Sequence, residues 1–130
     1  MAGFSDYLED KVLDHVFGGV NYTAPVTHYV ALYTVIPSDT GGGTEVTGGS
    51  YARQTSTFTV SGTSPTTATN AAAIEYPTAT AAYGTVVAVG VMDALTGGNL
   101  LAYAGLDVNK VVSDGDVFRF DAGDLDITLA

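Results

Sequence analysis

Two histidines, a crowd of aspartates and a run of three glycines are the residues of this chain whose chemistry could reach beyond packing. His15 lies within FSDYLEDKVLDHVF and His28 within THYVALYTVI. A catalytic or metal-ligating histidine needs convergent partners, and the spacing around neither residue predicts one, so both read as packed or exposed structural side chains. Asp114, Asp116, Asp121, Asp124 and Asp126 crowd two turns near the end of the chain, where hard carboxylate oxygens could hold calcium. Their spacing does not follow the EF-hand loop, and aspartate is a good turn residue in its own right, so no metal is expected. Gly41 to Gly43 could cradle a phosphate only if Gly-Lys-Ser/Thr followed, and Thr44-Glu45 follows instead. No Gly-x-Ser-x-Gly is present, and a glycosidase carboxylate pair would need a sugar cleft for which this chain has no tryptophan. The absence of cysteine removes disulfides, thiolate chemistry and cysteine zinc sites. The expectation is a protein with no catalytic residue, no cofactor and no metal.

The totals point the same way. The chain has 130 residues, 46% of them hydrophobic and only 14% charged, with 16 glycines and a formal net charge of −10. That length suits one domain spanning 1–130, burying roughly two-thirds of its unfolded surface. Its only cations are Lys11, Arg53, Lys110 and Arg119, too few and too scattered for a nucleic-acid footprint. No apolar run is long enough to span a membrane, and no secretory signal opens the chain, so the expectation is a soluble protein made inside a cell, or one that leaves it by lysis. A surface poor in charge and rich in Thr and Gly suits a protein packed against others. Eight tyrosines fit either protein interfaces or buried strand packing.

The elements that must position these residues are mostly strands. Residues 85–106 form the centre, two apolar strands joined by a glycine-rich connection at 94–99. Val86, Val87, Val89 and Val91 are too β-branched for a comfortable helix, and apolarity on both faces predicts a strand covered on both sides. Residues 4–17 predict the one helix: Ser5 as N-cap, acids in the first turn, an apolar stripe from Phe4 through Leu8, Val12 and Val16, and a stop at Gly18-Gly19. That helix either caps an open edge of the β core or docks on a neighbouring subunit. Residues 27–36 predict a strand with His28, Val30, Leu32, Thr34 and Ile36 on one face and Tyr29, Ala31, Tyr33 and Val35 on the other. Residues 37–50 read as a long contact loop with five glycines, and 51–60 as one strand with Arg53, Thr55, Thr57 and Thr59 on a polar face. A short strand over 68–76, a hairpin about Asp114-Gly115 and a last strand through Leu125, Ile127 and Leu129 complete the reading. The fold class is all-β: an antiparallel β-sandwich or jelly-roll-like domain of seven to eight short strands over 27–129, with one N-terminal amphipathic helix. The protein-contact candidates are Phe4, Tyr7, Leu8 and Val12 of the helix, with Asp39, Thr44, Glu45 and Tyr51 in and after the loop.

GFSDYLEDKVLDHVFGG, VALYTVIPSDTGGGTEVTGGSYARQ, NAAAIEYPTATAAYGTV and VMDALTGGNLLAYAGL occur here in that order. Together they resemble a family of small tailed-bacteriophage virion structural proteins, often called tail fibre proteins and similar in size and composition to capsid decoration (cement) proteins. The resemblance covers nearly the whole chain and brings no catalytic motif. It implies a virion protein, foremost a decoration protein binding the assembled head in many copies and bridging capsid subunits. The alternative it implies is a tail-associated or fibre protein acting in host adsorption. The partners implied are the major capsid protein or other virion proteins, with self-association, as a trimer by analogy with other decoration proteins. No nucleic acid or membrane partner is expected.

Overall fold

The valine run at 86–91 sits where its two-sided apolarity requires, between neighbouring strands and beneath cover on both faces. The computed structural model describes residues 3–129. In chain order the elements are β1 (Gly3–Phe4), α1 (Asp6–Val16), β2 (His28–Val35), β3 (Thr44–Glu45), β4 (Gln54–Ser56) and β5 (Phe58–Ser61). There follow β6 (Thr66–Asn70), β7 (Ile74–Glu75), β8 (Gly84–Met92), β9 (Leu100–Val112), β10 (Arg119–Phe120) and β11 (Asp126–Leu129). The main antiparallel sheet runs β1-β9-β8-β2, with β3 and β4 sharing the far edge of β2; β7 pairs β10, and β11-β6-β5 form a separate three-stranded sheet. This is an all-β, sandwich-like fold, as the alternation predicts. Eleven strands are present among the described residues; β1, β3, β7 and β10 have only two residues each, which leaves seven longer ones.

Register places the core. Val30, Val91 and Ala102 lie side by side across β2, β8 and β9, as do Leu32, Val89 and Ala104, and together they form one face. Tyr76, Tyr83, Phe118, Phe120 and Ile74 pack over that face from the segments around β7 and β10. The other face carries Ala31, Tyr33, Ala88, Met92 and Leu100. It is closed from within the chain: Gly90 has no side chain there, and a Cβ would stand 2.9 Å from both Tyr33 and Leu100. The division of β2 into two buried faces agrees with its sequence pattern.

Helix α1 is fixed at its start. Ser5, 1% exposed, is the N-cap: its Oγ accepts from the Leu8 amide at 3.2 Å and donates to the Leu100 carbonyl. Its own amide donates to the Leu101 carbonyl at 2.8 Å. Phe4 lies outside the helix, in β1, which pairs along the β9 edge of the main sheet. The helix therefore starts two residues later than the apolar stripe suggests, because two residues of pairing with β9 precede the cap.

Other boundaries move for one shared reason: periodicity does not say which strand is the partner. The single strand expected over 51–60 is two, since β4 pairs β2 and, after Thr57, β5 pairs β6. The 68–76 strand likewise divides into β6 and β7. Asp114-Gly115 makes its tight turn, with Gly115 at φ +90° and the Asp116 amide on the Ser113 carbonyl. The chain after it turns away from β9, however, and β10 pairs β7, where Ile74, Tyr76, Phe118 and Phe120 bury one another. The loop at 37–50 is partly ordered as strand, β3 on β2, with Val46 buried. Finally, β9 continues past 106 as one strand, with a register shift opposite Val86 and Ala88.

Candidate functional site

Two candidate regions differ in how the chain treats them. The first is a closed polar network on the edge of β2. Between β3 and β4 the β2 edge has no strand partner at Leu32. The Tyr51 hydroxyl accepts from the Leu32 amide at 3.0 Å, and the Leu32 carbonyl accepts from the Val46 amide at 2.9 Å, so neither backbone group is left unpaired. Tyr51 also donates to Glu45 Oε2 at 2.7 Å, and Arg53 holds both oxygens of Glu45 at 2.9 and 2.8 Å. The remaining Arg53 nitrogen donates to the carbonyls of Ala94 and Gly97, both at 2.8 Å, tying β3 to the β8–β9 connection. Burial would raise the Glu45 carboxyl, but the hydrogen bonds from Arg53 and Tyr51 and the guanidinium charge outweigh it and hold the group below its ordinary value. Burial, with the Glu45 carboxylate, pushes the Tyr51 hydroxyl far up, and burial does the same to Tyr76. The ring of Tyr51 stacks on Tyr76 at 6.0 Å and meets Tyr83 edge-on at 5.7 Å. Every group here is spent on its neighbours.

The second region is an open apolar groove of about 440 Å³. One wall is the β1–β9 side of the main sheet, with Phe4, Val91, Leu101 and Ala102, and Leu8 from the first turns of α1. The other wall is one face of the small sheet, where Phe58, Val60, Ala68, Ile127 and Leu129 line the groove. Register explains that wall: Val60, Ala68 and Ile127 are direct neighbours across β5, β6 and β11. The opposite face of the same sheet is polar, with Thr59, Thr69 and Asp126 in one row and Ser61, Thr67 and Thr128 in the next. Among the described residues no Asp, Glu, Lys or Arg lines the groove. Its apolar wall is left open by the described residues, with Val60 67% and Leu129 57% exposed. A largely apolar concavity, with His28 and Tyr22 as its ionisable side chains, can offer shape and desolvation to a partner.

The contact candidates divide among three places. Phe4 and Leu8 line the groove. Tyr7 and Asp39 line a second, more polar cleft with Thr40, Gly42 and Asn99. There the Asp39 carbonyl accepts from the Asp6 amide at 2.9 Å, and the Tyr103 hydroxyl donates to the Asp39 carboxylate, which raises that hydroxyl. Val12 is half-buried on the helix and Thr44 is exposed at the sheet margin. Glu45 and Tyr51 are turned into the closed network rather than outward.

The aspartates of the C-terminal turns are occupied locally: Asp116 accepts from the Ser113 amide, Asp124 from the Asp121 amide, and Asp126 from Thr69 Oγ1. Among the described residues no three His, Cys, Asp or Glu side chains are grouped to hold a metal. His15 Nδ1 accepts from the Tyr22 amide at 3.1 Å, and His28 meets the Phe58 ring edge-on at 5.8 Å. Asn70, 1% exposed, was not singled out by the sequence, yet it organises these turns. Its side chain donates to the carbonyls of Ala72 and Asp121 and accepts from the Leu125 amide, all at 2.9 Å. The groove wall was missed as well; the signal for it was the alternation of Phe58 and Val60 among threonines, matched by Ile127 and Leu129.

A family model described as Podophage GP4 fiber I protein gp80 matches residues 3–128. Among curated proteins none matches the chain.

Proposed function

The chain belongs to the family described as Podophage GP4 fiber I protein gp80, and on that footing we propose that this phage virion structural protein is a non-enzymatic subunit of a tail fibre. It works by packing against other virion proteins. The observation that carries the reading is the largely apolar groove between the main sheet and β11-β6-β5, a concave surface suited to a protein segment. Phe4 and Leu8 supply contacts from one wall, Val60 and Ile127 from the other. The helix, rooted at Ser5 and with no residue fully buried, is a second contact element beside the groove. Decoration of the capsid surface, the foremost expectation from size and composition, has no separate support in this surface, and the family's fibre description favours the tail.

The test is quantitative mass spectrometry of purified particles separated into heads and tails. Low copy number confined to the tail fraction supports the fibre reading. High copy number spread over the heads would replace it with decoration.

A further inference from the structure

The polar cleft between the first turn of α1 and the turn at 38–42 presents hydrogen-bond acceptors that nothing in the chain uses. It encloses about 450 Å³, with Asp6, Tyr7, Tyr33, Asp39, Met92 and Asn99 on its walls. Tyr33 is 5% exposed, and its ring lies over Gly90 and ends beside Met92. Its hydroxyl donates only to the Met92 thioether, a weak acceptor, at 3.7 Å, and among the described residues nothing donates to its oxygen. A buried hydroxyl so poorly served calls for a partner from outside. Two more acceptors stand open on the same walls. Asp39 receives the Tyr103 hydroxyl on one carboxylate oxygen, and the other receives no side-chain donor. Asn99 gives its amide and its Nδ2 to the two carboxylate oxygens of Asp93, at 2.7 and 2.9 Å, which leaves its own Oδ1 without a donor. The neighbouring hydroxyls are already spent, Ser5 Oγ on the Leu100 carbonyl and Thr40 Oγ1 on Ser38 Oγ, which itself donates to the Gly41 carbonyl.

We propose that this cleft receives a lysine side chain of another virion protein, its ammonium bonded by the free oxygen of Asp39, by Asn99 Oδ1 and by the Tyr33 hydroxyl oxygen. The partner's setting rests on the fibre-subunit reading, and the contact is separate from the apolar groove. Charge argues for a cation. Asp6 and Asp39 line the cleft, and among the described residues no Lys or Arg does: Lys11 stands over the Tyr7 ring at 5.6 Å, and Arg53 is held by Glu45. Beside the cleft the Tyr103 hydroxyl is raised first by its bond to Asp39, then by desolvation, and then by the negative charges of Asp39, Asp6 and Glu9. A chain of net charge −10 draws a cationic partner and repels an anionic one. The free acceptors select an ammonium over a guanidinium. A guanidinium fork pairs with both oxygens of one carboxylate, and Tyr103 already occupies one oxygen of Asp39. An ammonium is a compact charge with three donors, which suits three separate acceptors. The apolar stem of the lysine would lie against Tyr7 and Met92. A neutral sugar can donate to the same oxygens but brings no charge to set against Asp6 and Asp39.

The test is a titration of the full chain with Nα-acetyl-lysinamide at low salt, followed by the NMR shifts of the backbone amides. Nα-acetyl-norleucinamide, Nα-acetyl-argininamide and N-acetylglucosamine serve as comparison ligands. The lysine probe is expected to shift the amides of 39–42 and 98–100 saturably, with a roughly millimolar Kd for so small a ligand. The norleucine probe should shift none of them, and the arginine probe and the sugar should bind more weakly than lysine. Asp39→Asn should weaken lysine binding about tenfold and Tyr33→Phe about threefold, while Asp107→Asn, the same charge change on the exposed part of β9, should leave it unchanged. Retained melting temperatures establish that the variants are folded; if Tyr33→Phe lowers its own, Asp39→Asn decides alone. No saturable shift, equal binding of the norleucine probe, tighter binding of the arginine probe or the sugar, or an Asp39→Asn variant that binds like wild type would each overturn the proposal. A chain that binds no lysine probe yet is found in the tail fraction would leave the fibre reading intact. A chain that binds it but is found on the heads would keep the site and remove the fibre reading.

Discussion

The aromatic layer over β2 and β8 and the face of the small β11-β6-β5 sheet are written in the same alternating code but end differently. Over β2 and β8, Tyr76, Tyr83, Phe118 and Phe120 close the apolar surface, and the hydroxyls find acceptors within the chain, Tyr76 on the Val30 carbonyl at 2.7 Å and Tyr83 on that of Pro77 at 3.1 Å. On the small sheet, Val60 and Leu129 alternate just as regularly with threonines, yet no layer of the described residues covers them. The difference separates stability from assembly. A closed aromatic layer makes the fold hold by itself, while an open apolar wall is the surface that the proposed fibre contact would desolvate.

That contrast breaks most sharply at Tyr76. Truncating this side chain, 1% exposed, to Ala removes its stacking on Tyr51, its edge contact with Phe118 and its hydrogen bond to Val30. We expect a loss of about 3–5 kcal/mol in chemical denaturation, against a much smaller loss for Leu129→Ala on the open wall. Equal losses would mean that the two regions do not differ.

Asn70→Ala comes next. It removes the acceptor of the half-buried Leu125 amide and the donor to the Ala72 and Asp121 carbonyls, and the expected cost is about 1–3 kcal/mol, read from the urea midpoint. A shift of no more than a few tenths would show that water replaces the side chain freely.

These first two predictions also separate what was legible in the sequence from what was not. The two buried faces of β2, the valine strand β8 and the Ser5 cap follow from local periodicity and capping chemistry, and each lies where those rules place it. The change of sheet at Thr57 and the pairing of β7 with β10 do not follow, because alternation runs unbroken through a change of partner. Asn70 was unreadable because its partners at 121–125 come from a turn far along the chain. The groove was hidden for the same reason: Phe58 and Val60 meet Ile127 only through the register of β6 between them.

The closed polar network sharpens the comparison through pH. The folded state holds the Glu45 carboxyl below its ordinary value, so its contribution to stability is fully present above the unfolded carboxyl range of about 4.3 and is lost as pH falls through the lower folded value. Glu45→Gln should cost about 1–2 kcal/mol near neutral pH, and the gap from wild type should narrow in acid. A gap that stays constant across a pH series of thermal melts would contradict the role given to the Arg53 pair.

Val60→Asp has the smallest expected effect on folding, about 0.5 kcal/mol or less, because the residue is already largely in water. A large loss would make the open wall part of the core and end the distinction.

Since the chain has no cysteine, a single engineered thiol reports its own surroundings without interference. The central claim is that the groove side of the small sheet is a contact surface in the particle while its threonine side is not. Val60→Cys and Thr59→Cys stand next to each other on opposite faces of β5, and both positions are exposed in the isolated chain. Maleimide labelling of dilute protein and of intact phage tests the claim directly. We predict that both thiols react in the dilute protein, and that in the phage Val60→Cys is protected while Thr59→Cys still reacts. Equal labelling of both positions in the phage would contradict it.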